Sequence, residues 1–180
     1  MLLEVKILRP AEVDNVRNTI TMVHAAYLQS LAACTMVIVF RTLSTSAGRR
    51  ILTSSNTSGF QWGQNGTQWV GTFAGGAYTV DNVTADTNFH HIITTFDGSQ
   101  TGNSNRVQKR LDGAAVTLTF STNVNATTSP TASHFYGGTD AAGNTNYWNG
   151  DVGELMIFTR ALNSSEVLAI EDYLSIKWAI

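Results

Sequence analysis

Residues 149–180 read NGDVGELMIFTRALNSSEVLAIEDYLSIKWAI, and this stretch decides the fold. Its first half carries Val152, Leu155, Ile157 and Thr159, an apolar and β-branched run that predicts a strand; its second half switches to helical spacing. The switch falls at residues 160–162. Asn163 has the side chain of a helix cap, Glu166 stands where it can reach back to the Asn163 amide, and Leu162 can pack on Val167 as a staple. The helix then presents Val167, Ile170, Leu174 and Trp178 as one stripe, widened by Tyr173. Burying such side chains is worth roughly 1.5–3 kcal/mol each, so the stripe requires a partner surface, and the preceding strand implies a sheet.

Outward from there, composition bounds the rest. The 180 residues, 43% hydrophobic, suffice for one domain with one sizeable core. Charged residues make up only 13%, and Thr, Asn, Ser and Gly supply the polarity instead, which favours strands and turns over helical bundles. A net charge of −2 without a basic cluster excludes an electrostatic footprint for nucleic acid. Cys34 is the sole cysteine, so the core holds the fold without a disulfide. The opening MLLEVKILRP has no signal-peptide pattern, and no apolar run is long enough for a membrane span. The expectation is a product made in the cytosol.

The remaining segments read as short strands. TMVIVFRTL (residues 35–43) is the strongest, with Met36, Ile38 and Phe40 on one face and Val37, Val39 and Arg41 on the other. Residues 19–24, 50–53, 59–63, 68–73 and 77–80 follow the same grammar, separated by Ser, Asn and Gly clusters. NFHHIITTFD (88–97) and residues 105–112 are longer, each ending in Asp-Gly, and residues 115–120 are expected to return as the second arm of a hairpin. A further strand is placed at 134–136. Residues 1–18 are set apart as an amino-terminal arm, in which residues 2–8 can either alternate as a strand or lie extended, leaving 19–180 as the domain. The spacing predicts an all-β, two-sheet antiparallel sandwich or jelly roll with a short carboxy-terminal helix.

Three motifs in order resemble LamG-like modules, the laminin-G or concanavalin A-like jelly rolls. NFHHIITTFDGS resembles their Trp-His-His-Val strand, RLDG their Tyr-Val-Asp-Gly hairpin, and NGDVGELMIFTRALNSSEVLAIEDYL their closing strand and helix. Phe89 stands where the family usually has tryptophan, and Arg110 where it often has tyrosine. The resemblance covers roughly Thr19 to Trp178. It implies two antiparallel sheets face to face, a closing helix at one end, and a role in binding or adhesion more often than catalysis.

Glucanases share that architecture, but they align acids at alternate positions of one strand so that the carboxylates face one cleft. Here there are five glutamates, and Asp151 and Glu154, three apart on a regular strand, would point to opposite faces. No catalytic residues are assigned, and the chain is read as a non-enzyme. Adjacent His90 and His91 likewise diverge and cannot share a metal. Calcium is the metal that the resemblance raises, and Asp140, Asn144 and Asp151 frame the loop before the closing strand with suitable oxygen ligands. The turn-forming reading of those acids is the stronger one, so no cofactor is assigned. For carbohydrate, Trp62, Trp69, Tyr78 and Tyr147 sit among Asn, Gln and Thr, the chemistry needed to stack a sugar ring. The competing reading, which we favour for Trp62 and Trp69, turns them into the core. Trp148 is left out as a packing residue.

These readings converge on a non-catalytic surface module. The first expectation is a bacteriophage virion protein that decorates a capsid or tail, assembles in the host cytosol and contacts other virion or surface proteins through its arm. A homo-oligomer is compatible with it. The alternative is an extracellular, lectin-like module recognising host polysaccharide, with glycoside hydrolysis a distant third. Neither nucleic acid nor membrane is an expected partner.

Overall fold

The computed structural model describes residues 2–5, 20–22, 30–45, 49–54, 61–73, 77–128, 135–137 and 147–180. They form two antiparallel sheets. The first has six strands in the order β1 (Leu2–Val5), β13 (Gly150–Phe158), β3 (Ala33–Thr42), β8 (Phe89–Asp97), β9 (Val107–Leu111) and β10 (Ala114–Ala115). The second has seven, in the order β11 (Leu118–Phe120), β7 (Ala77–Thr84), β6 (Gln68–Phe73), β5 (Gln61–Asn65), β4 (Arg49–Ser54), β12 (Phe135–Gly137) and β2 (Ile20–Met22). Among the described residues the sandwich also carries a helical turn, α1 (Asn103–Arg106), and a longer helix, α2 (Ser164–Trp178). Among the described residues no helix is long and apolar enough to cross a membrane.

The sheets pack as the alternation in β3 demands. Met36, Ile38 and Phe40 point between the sheets and meet Trp62, Trp69, Phe73, Ile92, Phe96 and Leu155. Val37 and Val39 point the other way and, with Ile93, form the floor for Leu162, Val167 and Leu174. A strand covered on both faces reads as a continuous apolar run, which is why residues 35–40 carry the strongest strand signal.

The helix begins where its sequence says. The Glu166 amide donates to Asn163 Oδ1 at 3.0 Å, the Asn163 amide donates to Glu166 Oε2 at 3.0 Å, and Ala179 in the left-handed region (φ 55°) ends the helix. The helix lies across the outer face of the six-stranded sheet, not at one end of the sandwich, because its apolar partners are the outward residues of β3 and β8. Tyr173 does not widen the stripe: it is 44% exposed, and its hydroxyl donates to Glu154 Oε1 at 3.1 Å.

One sequence alternative is resolved and two expectations change. Of the two readings of residues 2–8, the strand holds for Leu2–Val5, which pairs with Leu155–Phe158 at the edge of the six-stranded sheet. Residues 115–120 are not one hairpin arm. The Asp112-Gly113 turn, with φ 48° and 78°, returns only Ala114 and Ala115 to β9, after which the chain crosses over and Leu118–Phe120 pairs with β7. Finally, β13 is not regular. Asp151 opposes Arg41 and Val152 opposes Phe40, but Glu154 opposes Val39, so Gly153 is the extra residue of a β-bulge. A Cβ there would stand 2.5 Å from the Trp178 ring, and glycine is what lets α2 close down on the strand.

Candidate functional site

Trp62 and Trp69 are 1% and 0% exposed, stacked at 5.6 Å between ring centroids, with Phe40 edge-on to each at 4.7 and 5.0 Å. They are the centre of the core, as the favoured of the two readings has it, and offer no face to a sugar, so their listing as carbohydrate-platform residues is corrected. Tyr78 takes its place in β7 opposite Thr72, and its side chain lies outside the described part. Tyr147 is half-buried beside β4, bridging Arg50 through the backbone and accepting from Arg49 Nη1 at 3.0 Å. The four residues therefore do not assemble into one aromatic surface. Of the calcium candidates, Asp140 and Asn144 lie outside the described residues. Asp151 Oδ2 accepts from Arg41 Nε at 2.9 Å, and a guanidinium at that oxygen repels a cation. Among the described residues no group of three His, Cys, Asp or Glu could hold a metal ion.

The bulge at Gly153 puts Asp151 and Glu154 on the same face, contrary to the regular-strand expectation, because it shifts the alternation by one residue. Neither is available for acid–base chemistry. Glu154 accepts from Tyr173, from Lys177 Nζ at 2.9 Å and from Trp178 Nε1 at 3.0 Å, an anchor for the end of α2. Burial alone would raise its carboxyl, but the hydrogen bonds from Trp178, Lys177 and Tyr173 hold it below the usual 4.5. Glu171 pairs with Arg110 Nε at 2.7 Å, Glu166 with Arg160, and Asp81 with Lys109. Asp86 and Asp112 flank His90, at 2.9 Å from Nε2 and 2.6 Å from Nδ1. The imidazole occupies the space between the two carboxylates that a substrate and water would need. Among the described carboxylates only Asp172, exposed on α2, has no polar partner.

His90 and His91 do diverge. The hydrogen bond to Asp112 raises the His90 pKa, against burial and with help from Asp86. His90 faces Phe40 and Trp69 on the inner side of β8, while His91 is buried on the opposite face, where burial lowers its pKa.

Where α2 does not cover the six-stranded sheet, a trough of about 560 Å³ opens, running over Ile93, Thr95 and Gln108 to Ser164, Val167 and Leu168 at the start of the helix. A second hollow of about 250 Å³ shares Thr95, Gln108 and Leu162 with it and adds Asp97, Gln100 and Asn105. Volumes of this order suit a small ligand or a few sugar units. The floor is apolar, and the rim presents hydroxyl, amide and carboxylate groups. That rim is pre-organised by its own bonds. Asp97 Oδ1 accepts from the Ser99 amide and hydroxyl at 3.0 and 2.6 Å, Gln100 Nε2 donates to Asp97 Oδ2 at 2.8 Å, and Asn105 Nδ2 donates to the Thr101 carbonyl at 2.8 Å. The bonds from Ser99 and Gln100 hold the Asp97 carboxyl below its ordinary value. Among the described residues no aromatic lines the trough, so no stacking residue marks it in the sequence; its signal there is the cluster of Asn, Ser and Gln around residues 99–108.

No curated protein matches the sequence. Several solved structures share the fold at low identity. The binding domain of botulinum neurotoxin DC in complex with SialylT has a TM-score of 0.61 and 12% identity, the match covering 96% of this chain and 44% of that one. The same domain in complex with rat synaptotagmin II gives 0.61 and 11%, covering 97% and 46%. The native heptameric SAP-like pentraxin of Limulus polyphemus gives 0.54 and 13%, covering 78% and 71%. The chain spans less than half the length of the neurotoxin domains it matches. At the level of sequence, the laminin-G model of the concanavalin A-like lectin/glucanases superfamily matches residues 15–168, and the chain belongs to that family.

Proposed function

We propose that the protein is a non-catalytic binding module that holds a neutral oligosaccharide segment in the trough between β8, β9 and the start of α2. The observation that carries this reading is the trough itself: an apolar floor at Ile93, Leu162 and Val167 beside the polar groups of Thr95, Gln108, Ser104 and Asn105. Sugar rings present that mixture of C–H faces and hydroxyls, and short hydroxyl and amide side chains on a stitched loop can bind them without a large ordering cost. Asp97 is the sole carboxylate in its described lining, so the paired acids of a glycosidase are not supplied there. The neurotoxin domain in complex with SialylT supports the reading only through the shared fold.

The test is a glycan array followed by calorimetry on the best ligand. Gln108→Ala is expected to weaken binding roughly 3- to 10-fold, the loss of about one hydrogen bond, while Tyr147→Ala leaves it unchanged. A blank array, or a loss with Tyr147→Ala and none with Gln108→Ala, would reject the trough.

One observation favours a second reading, a bacteriophage decoration protein assembled through its amino terminus. Strand β1 is only four residues at the edge of its sheet, joined to β13 through the main chain, and such a strand can be supplied by a neighbouring subunit. Deleting residues 1–17 should then leave a folded domain that no longer enters particles; normal incorporation would dismiss this version.

A further inference from the structure

Lys109 in β9 and Asp81 in β7 meet across the space between the two sheets. Lys109 Nζ stands 2.6 Å from Asp81 Oδ1, and the two side chains are 0% and 1% exposed. The rings of Trp62 and Phe73 each lie 6.0 Å from Nζ, and Asp81 Oδ2 has no hydrogen-bond partner. An ion pair so placed loses the hydration of two charges and recovers only one good hydrogen bond. Burial outweighs the mutual attraction on both sides: it raises the Asp81 carboxyl and lowers the Lys109 ammonium. A proton passing along the existing hydrogen bond leaves a neutral acid facing a neutral amine. The amine then has a free lone pair, and the acid, unlike a carboxylate, can lose its hydroxyl as water.

We propose that Lys109 and Asp81 form a self-modification site, at which the folded protein joins Lys109 Nζ to Asp81 Cγ in an isopeptide bond that stitches one sheet to the other. Nζ forms a bond to Cγ, and the C–Oδ1 bond breaks. Nζ gives up two protons, the first along the hydrogen bond and the second as Oδ1 departs, and both leave with Oδ1 as one water. Oδ2 remains as the amide carbonyl oxygen. Nothing is oxidised or reduced, and no co-reactant is required. Two rigid sheets hold the pair, so the reaction is intramolecular and shielded from bulk water, the setting in which a slow condensation gains most. The product replaces a buried ion pair by a neutral amide, in a chain whose single cysteine cannot form an internal disulfide.

Intact-mass measurement of the purified full chain in denaturant decides the matter. The expected mass is one water below that of the sequence, with a branched peptide after proteolysis that joins the Asp81 and Lys109 segments. Asp81→Ala and Lys109→Met should each restore the full mass, whether or not the variant folds. The full mass in the unaltered protein would overturn the proposal. So would a lost water that maps to a succinimide at Asp97-Gly98 or Asp112-Gly113 without the branched peptide.

Discussion

Glu154 collects three donors from the last turns of α2, so one carboxylate decides how firmly the helix end is held. Glu154→Gln should destabilise the domain by about 0.5–1.5 kcal/mol, read from denaturant unfolding, because the half-buried Trp178 Nε1 and the more exposed Lys177 and Tyr173 lose a charged acceptor. Its folded pKa lies below the ordinary 4.5, so this stabilisation is complete above that value and is lost as the pH falls through the folded pKa. His90 has the opposite sign. Its pKa is raised above 6.5, so the stability it brings is complete below 6.5 and lost as the pH rises through the folded pKa. The Tm penalty of His90→Gln should therefore be larger below pH 6.5 than above it; an equal penalty on both sides would deny the ion pairs with Asp86 and Asp112. At this scale the sequence was only partly legible. Trp62 shares its face of β5 with Gln64, and polar neighbours normally mark a solvent face. Gln64 is nonetheless buried, accepting from Thr42 Oγ1 and donating to the Gly66 carbonyl, so the expected contrast between the faces was absent. Trp69→Ala should accordingly cost about 3–5 kcal/mol of stability, as loss of a core ring does.

Elements were more legible than the contacts between them. The cap at Asn163 and the staple at Leu162 are local signals, and local signals survive whatever the tertiary structure does; Asn163→Ala should cost about 0.5–2 kcal/mol in thermal or chemical unfolding. Leu174, fully buried beneath the helix, should cost about 2–5 kcal/mol as Leu174→Ala. The bulge at Gly153 was not legible, because nothing in the residues before and after it departs from a strand, and its cause is the Trp178 ring 25 residues later. The two Asp-Gly steps show the same limit. Asp112-Gly113 is the positive-φ turn that its sequence announces, whereas Gly98 is glycine because the Ala126 carbonyl leaves no room for a Cβ. A dipeptide can declare its backbone preference, but not what another loop will press against it.

For the whole molecule, the sandwich followed from the closing strand and helix, from the periodicity of residues 35–40, and from the three family motifs. The trough did not follow. Its walls come from β8, the 98–106 loop, β9, the β10–β11 crossing and the start of α2, and only the crossing from one sheet to the other brings them together. Among the described residues, the molecule presents a buried aromatic centre, carboxylates most of which are engaged by neighbouring donors, and a polar-rimmed hollow beside the helix. Under the proposed function, recognition falls to the hollow. The most direct measurement is backbone amide chemical-shift mapping during titration with the best glycan found on the array. Shifts concentrated at Thr95, Gln108, Asn105 and Ser164 are the predicted result; shifts concentrated around Tyr147 and the loop before the closing strand, with the trough unmoved, would contradict it.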